Sequence, residues 1–119
     1  MSTRSIIQFL DIDGEVFTFG RHRDSYPSGM AMDLKEVDLD KPLKIVKLIE
    51  ILNLETFVES GPDYEYEIRI ADKTIKAIKC NWSREKCEAE LLRTGRKVSY
   101  VKETIFDGSI LSFIEWAGD

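Results

Sequence analysis

The chain contains little of the chemistry from which familiar active sites are built. It has one histidine and two cysteines in 119 residues, which do not provide a zinc site of familiar spacing. It has no Gly-rich phosphate loop, no nucleophile elbow and no Cys-His pair at motif spacing. These absences count against the familiar enzyme classes, and we expect no metal and no cofactor. They leave open a carboxylate or Arg/Tyr site that is assembled in space.

Long apolar runs are also missing. No stretch approaches the length of a membrane span, so we expect no membrane association. Residues 1–5 lead directly into strand-like sequence, and we expect no signal peptide. In a cytoplasmic protein, Cys80 and Cys87 are expected to be reduced thiols. A disulfide between them is the less favoured alternative.

Size and composition are those of an ordinary globular protein. The chain is 43% hydrophobic and 33% charged, which suits one α+β domain over residues 1–119. Its net charge is −5 and its isoelectric point is about 5.0. Broad nucleic-acid binding usually requires a basic domain, so this charge does not favour it. An acidic protein of this size remains soluble and suits a basic partner.

The first part of the chain predicts a β-hairpin. Residues 4–12 and 16–19 are rich in apolar, partly β-branched residues, and Asp13-Gly14 between them favours a two-residue type I′ turn. That turn would pair Ile12 with Glu15. One face of the hairpin would then carry eight side chains, namely Ile6, Leu10, Ile12, Phe17, Phe19, Arg4, Arg21 and Arg23. His22 would lie on the opposite face, beside Ser5.

The end of this hairpin is the first candidate site. Like charges across a ladder are unfavourable, so the three arginines need a bound anion, an internal acidic partner or water around them. Arginine binds phosphate in a bidentate manner, and a histidine beside an aspartate suits acid–base chemistry. A nucleotide or cyclic oligonucleotide, bound or hydrolysed by a phosphodiesterase, fits such a set. The alternative is a structural turn. The candidate ligand-binding residues are Arg4, Arg21, His22, Arg23, Asp24 and Tyr26.

Four helices are expected from periodicity and capping residues. Two lie at residues 29–37, after a Ser28 cap, and 43–54, after an Asp40 cap. Residues 83–94 favour a helix that Gly95 ends, although Cys87, Ala89 and Leu91 also alternate as in a strand. Ser109 would cap a last helix, after a turn at Asp107-Gly108, with an apolar face of Ile110, Phe113, Ile114 and Ala117.

Three further strands are predicted at residues 64–70, 76–82 and 97–106. The first alternates apolar or aromatic with charged side chains. A three-residue loop after it would place Ile78, Cys80 and Trp82 beside Ile68, Tyr66 and Tyr64. The predicted order is therefore β-β-α-α-β-β-(α)-β-α. This is an α+β fold with a mostly antiparallel sheet of about five strands and helices on one face.

A second candidate site is a surface for a protein partner. We expect it around Asp63, Tyr64, Glu65 and Glu67, where acidic and aromatic side chains are adjacent. The alternative is that Tyr64 and Tyr66 simply face the core. A homodimer through an edge strand or an apolar helix is a further alternative.

The two ends of the chain resemble a group of small phage and bacterial proteins. These open with Met-Ser-Thr-Arg-Ser, as residues 1–5 do, and carry His-Trp-Asp-Gly-Tyr-Pro after the first hairpin, similar to residues 22–27 here. The stretch Ile-Phe-Asp-Gly-Ser at 105–109, followed by Phe113 and Trp116, is also similar. The resemblance covers roughly the first 35 and the last 15 residues. Arg23 stands where the group has an aromatic residue and Ser25 where it has glycine.

The resemblance implies an origin rather than a chemistry. A virus- or prophage-encoded accessory protein would work in the host-cell cytoplasm. Its expected action is to bind and modulate, and most simply to inhibit, a host or viral protein, including a defence nuclease complex. We therefore predict a non-enzymatic binding protein, with small-ligand binding at the hairpin as the alternative.

Overall fold

The computed structural model describes residues 3–118. These residues form β1 (Ser5–Leu10), β2 (Val16–Arg21), α1 (Pro27–Leu34), α2 (Ile45–Ile51), β3 (Tyr64–Arg69), β4 (Thr74–Asn81), α3 (Arg84–Thr94), β5 (Val101–Ser109) and α4 (Ile110–Ala117). The α+β class and the order of elements are confirmed. Residues 84–94 are helical, because Ser83 accepts a bond from the Lys86 amide and Gly95 ends the helix at φ 74°.

The five strands form one sheet in the order β2-β1-β3-β4-β5. Three of its four pairings are antiparallel, but β1 and β3 run parallel, with Ser5 opposite Tyr64. A parallel pair needs a crossover connection. Here β2, α1 and α2 supply it, and both helices place residues in the core.

The predicted register of the first hairpin is wrong by one residue. The amide of Asp11 donates to the Glu15 carbonyl at 2.8 Å, and Ile12, Asp13 and Gly14 form a three-residue loop. Gly14 has φ +89°, the left-handed conformation that such loops place on glycine. Because strand faces alternate, the shift moves the core face to Ile7 and Phe9, and it places Ile6 and Leu10 on the other face. It also places Arg21 opposite Ser5.

The register predicted for the second hairpin is wrong as well. Ile75 lies opposite Ile68, and Ala77 opposite Tyr66, so these two β4 residues enter the core. Ile78 and Cys80 then lie on the sheet face that carries Glu65. The strands are joined by residues 70–73, and Ile68 pairs three positions earlier in β4 than predicted. A register shift by an odd number of residues reverses the faces.

Several boundaries differ from those predicted. Tyr26, not Ser28, precedes α1, with Pro27 in its first turn, and Lys44, not Asp40, precedes α2. β5 continues through Asp107-Gly108, where a turn was expected, and leads directly into α4. Ser109 caps α4 as predicted, by accepting the Ser112 amide at 3.0 Å.

The core lies between one sheet face and three helices. α1 contributes Met30, Ala31 and Leu34, α2 contributes Leu48, and α4 contributes Ile110 and Phe113. They pack with Ile7, Phe9, Tyr66, Ile68, Ile75 and Ala77 of the sheet. α3 buries none of its residues. Within residues 3–118, no helix has the length and apolar character needed to cross a bilayer.

Candidate functional site

Arg21 is buried at the end of β2, with 3% of its surface exposed. Its guanidinium donates from Nε to the Arg23 carbonyl at 3.1 Å, from Nη1 to the Leu52 carbonyl at 2.8 Å and from Nη2 to the Asp24 carbonyl at 2.9 Å. Nη1 also lies 2.7 Å from Oδ2 of Asp33. A buried arginine needs such partners. Arg21 therefore ties the turn to α1 and to the end of α2.

Residues 55–63, which we call the acidic segment, supply partners for two other candidates. The Arg4 guanidinium is bonded to the Glu59 carboxylate, which raises the pKa of Arg4, through the hydrogen bond first and the opposite charge second. The Arg4 amide donates to Asp63 at 3.1 Å. The anion that the sequence suggested for Arg4 is thus a carboxylate of the same chain.

His22 contacts the same segment. Its Nε2 lies 2.9 Å from the Phe57 carbonyl, so Nε2 carries the proton and donates it. Nδ1 is buried without a hydrogen-bond partner among the described residues, and the closest carboxylate oxygen, on Glu59, is 3.5 Å away. The expected position of His22 beside Ser5 is wrong, because Arg21 lies there.

The remaining candidates of the turn are more accessible. Arg23 and Asp24 are exposed, and Asp24 has φ 49°. Tyr26 is 56% exposed, and its ring lies 5.9 Å from that of Tyr64. The six candidates therefore lie near one another, but Arg21, Arg4 and His22 already have internal partners. Ligand binding by this set stays a prediction.

The four residues predicted to bind a protein do not form one surface. Tyr64 lies on the helix-covered side, stacked on Tyr66 at 6.1 Å. Glu65 is on the other sheet face, where its side chain is only 12% exposed and accepts a bond from Lys102 at 3.2 Å. Burial lowers the pKa of Lys102, but Glu65 outweighs this effect and the net shift is upward. Glu65 is thus occupied by an internal contact.

Glu67 lies on the same sheet face as Glu65, at a depression that the sequence did not single out. With Gln8, Leu10, Val16 and Arg69, it lines this depression of about 190 Å³. Leu10 and Val16 face each other across the first hairpin. The depression continues into the apolar end of that hairpin.

The hairpin end consists of Leu10, Ile12, Val16 and Phe17, and all four side chains are exposed. Ile12 is 75% and Val16 57% exposed. Single exposed apolar residues are normal, but four within eight positions of one hairpin are typical of interaction sites. Leu10 and Val16 lie on one sheet face, Phe17 lies on the other, and Ile12 is in the loop between the strands. A signal for it was present in the sequence, since a three-residue loop with Gly14 turns Ile12 outward.

A larger cleft of about 590 Å³ lies beside α2. Its walls include Val37, Pro42, Leu43, Leu48 and Ile51. Three lysines line it, Lys41, Lys44 and Lys47, together with Glu36 and Asp38. Lys41 and Lys47 have only exposed, long-distance partners at 3.9 and 4.0 Å, so these ion pairs contribute little to stability.

Comparisons with known proteins add no family. No protein-family model matches the chain, and neither a curated protein nor a solved structure matches it closely enough to argue shared ancestry or fold.

Proposed function

We propose that the protein acts by binding another protein, without catalysis of its own, and that the hairpin end makes the contact. The observation that carries the proposal is the exposure of Leu10, Ile12, Val16 and Phe17 on one hairpin. Covering such side chains releases roughly 25 cal/mol per Å² of apolar surface, which is the usual source of affinity between proteins.

The turn supports this choice over a small-ligand site. Arg21, the most buried cation of the candidate set, has partners on all three guanidinium nitrogens. A phosphate would have to displace Asp33 or a backbone carbonyl to reach it. The exposed apolar residues of the hairpin end have no comparable internal partner.

The resemblance of the chain ends to phage accessory proteins extends the proposal. A virus- or prophage-encoded protein of this kind would bind and inhibit a protein of the host cell, with a defence nuclease complex as the first candidate. This part of the proposal rests on the resemblance and not on the fold.

Affinity purification from the native cells tests the proposed function. We would compare the wild type with the double variant Ile12→Asp/Val16→Asp and with the control Leu92→Asp, which changes an 89% exposed leucine on α3. One stoichiometric protein should accompany the wild type and the control and be lost with the double variant. Recovery of no protein, or of a small phosphorylated molecule instead, would contradict the proposal.

A further inference from the structure

The outer edge of β2 has unpaired backbone groups at two residues. Gly20 and Glu55 exchange both of their backbone hydrogen bonds, at 2.8 and 2.9 Å, so the polar groups of Gly20 point away from β1. Along a strand, the backbone N–H and C=O groups of successive residues point alternately toward the paired strand and away from it. Glu15, just before β2, bonds to Asp11 and so points toward the strand that β2 pairs with, as this alternation requires. Val16 and Thr18 must therefore also direct their N–H and C=O groups outward. Among residues 3–118, Gly20–Glu55 is the one bridge on this edge.

This edge lacks the usual protection against strand pairing. Natural edge strands carry lysine, proline or bulges that discourage a second chain. Residues 16–20 are Val-Phe-Thr-Phe-Gly, with no charge and no proline. The edge is also next to the hairpin end, since Val16 and Phe17 belong to both.

Carboxylates lie at both ends of the edge, and the exposed Arg23 follows in the turn three residues after Gly20. Asp11, Asp13 and Glu15 lie in and beside the loop at one end, and Glu55, with a 65% exposed side chain, lies at the other. No lysine or arginine occurs between residues 5 and 20. An occupant with basic residues at both ends would complement this field.

A second copy of the chain fits less well. If two copies paired their β2 strands antiparallel through Val16 and Thr18, Glu15 of each copy would lie near the acidic segment of the other copy. Asp13 and Glu15 would then approach Glu55 of the second copy, and like charges at close range oppose association. The occupant that the charges favour is a different protein.

We propose that the outer edge of β2 binds an extended segment of a partner protein as an added antiparallel strand. The inference rests on the proposed protein-binding function and names its mode. Val16 and Thr18 provide four backbone hydrogen bonds, two donated and two accepted. The segment stops before Glu55, which already occupies the edge at Gly20. Its centre is apolar, and it has lysine or arginine at both ends.

Side-chain contacts give the segment its specificity. The residue opposite Phe17 lies on the helix-covered side and covers the exposed part of the Phe17 ring. The residues opposite Val16 and Thr18 lie on the other side and extend the apolar surface of Leu10 and Val16. This division between backbone bonds for affinity and alternate side chains for selectivity is typical of strand addition.

Selection of peptides from a random nine-residue display library tests the mode. The wild type is the only bait, and every enriched peptide is then tested on Thr18→Pro. Proline at Thr18 removes an outward N–H and no bond to β1, so the fold should persist. Thr18→Ala, which keeps the N–H, is the matched control. The enriched peptide is then synthesised with blocked ends, and its affinity is measured by fluorescence polarisation.

We expect enriched peptides with Lys or Arg at both ends and an apolar centre. Thr18→Pro should weaken binding about fivefold to tenfold, as the loss of the hydrogen bond donated by Thr18 implies, and Thr18→Ala less than about threefold. N-methylation of the peptide at one of its two paired residues should have the effect of Thr18→Pro, with no change to the protein. Methylation at the residue between them should not.

The opposing results separate this inference from the proposed function. Peptides that bind Thr18→Pro as tightly as wild type would overturn strand addition, while protein binding at the hairpin end would stand. If the wild type dimerises as its concentration rises while Thr18→Pro remains monomeric, a second copy of the chain occupies the edge. No enriched peptide together with no protein partner from native cells would overturn both.

Discussion

Nη1 of Arg21 lies 2.7 Å from Oδ2 of Asp33, and this ion pair joins the end of β2 to α1. The same guanidinium donates to the carbonyls of Arg23, Asp24 and Leu52. One side chain therefore holds three separate segments around the turn. The turn therefore has a structural role, because it holds the hairpin against α1 and the end of α2.

Arg21→Lys should destabilise the protein strongly. A lysine ammonium cannot match the planar fork of donors, so several buried carbonyls lose their partner. Leaving a buried polar group without its partner costs about 1–3 kcal/mol, and the Asp33 side chain, 39% exposed, adds less to this than a fully buried carboxylate would. Urea unfolding measures the loss. The exposed Arg23→Ala is the control, with an expected change within about 0.5 kcal/mol. Equal stability of the two variants would show that Arg21 does not hold the turn to α1 and α2.

Gly20→Ala should displace the acidic segment. A Cβ at Gly20 would lie 2.1 Å from the Phe57 carbonyl oxygen, which is a backbone atom and cannot move alone. We expect a loss of about 1–3 kcal/mol, as for other overpacked sites. Gly61→Ala, whose Cβ would meet nothing within 4 Å, is the matched control. A Gly20→Ala protein as stable as Gly61→Ala would contradict the close packing of this segment on β2.

Stability should fall at alkaline pH through Tyr66. Burial raises the pKa of its hydroxyl above the ordinary value of 10.0, and the hydroxyl donates to the Ser25 carbonyl at 2.6 Å. The unfolded chain loses this proton at lower pH than the folded one. The stabilising effect is therefore full below pH 10 and is lost as pH rises above it, by up to about 1.4 kcal/mol per pH unit.

Tyr66→Phe isolates this contribution. The variant should lose about 1 kcal/mol at neutral pH with the Ser25 bond, and its stability should fall less steeply above pH 10 than that of the wild type. Urea unfolding between about pH 8 and pH 11 gives both slopes. Parallel curves for the two proteins would contradict the burial of an un-ionised Tyr66.

The Cys80 thiol should react slowly with alkylating reagents. Burial first, and then the charge of Glu65, raises the pKa of Cys80 to about 12. Thiolate is the reactive form, so Cys80 should resist iodoacetamide at pH 8.5 in the folded protein. Glu65→Gln should accelerate its alkylation, and Lys102→Met should not, since Lys102 lowers the pKa of Cys80. Mass spectrometry of samples quenched at different times identifies the alkylated cysteine. Rapid alkylation of Cys80 in the wild type would contradict the buried position of this thiol beside Glu65.

Local sequence signals predicted the elements well but not their registers. Ser83, Gly95 and Ser109 mark helix ends through bonds to adjacent residues, and such signals are short-range. The hairpin register depends on one extra loop residue, and the apolar pairs 6–7 and 9–10 allow either face to be the core. The pattern could not decide between them.

The partners of the candidate site were beyond local prediction. Arg21 bonds to Leu52, and His22 to Phe57, which are 31 and 35 residues away. These contacts depend on the parallel β1–β3 pairing, which brings the acidic segment across the end of β2. The hairpin end was not predicted because the two-residue turn placed Leu10 and Ile12 on the core face.

Hydrogen exchange at the β2 amides tests strand addition most directly. In the free protein, Phe17 and Phe19 should exchange slowly, because their N–H groups bond to β1, while Val16 and Thr18 should exchange rapidly. Saturation with the selected peptide should protect Val16 and Thr18 as strongly as their neighbours. Unchanged exchange at these two amides on peptide binding would contradict the account.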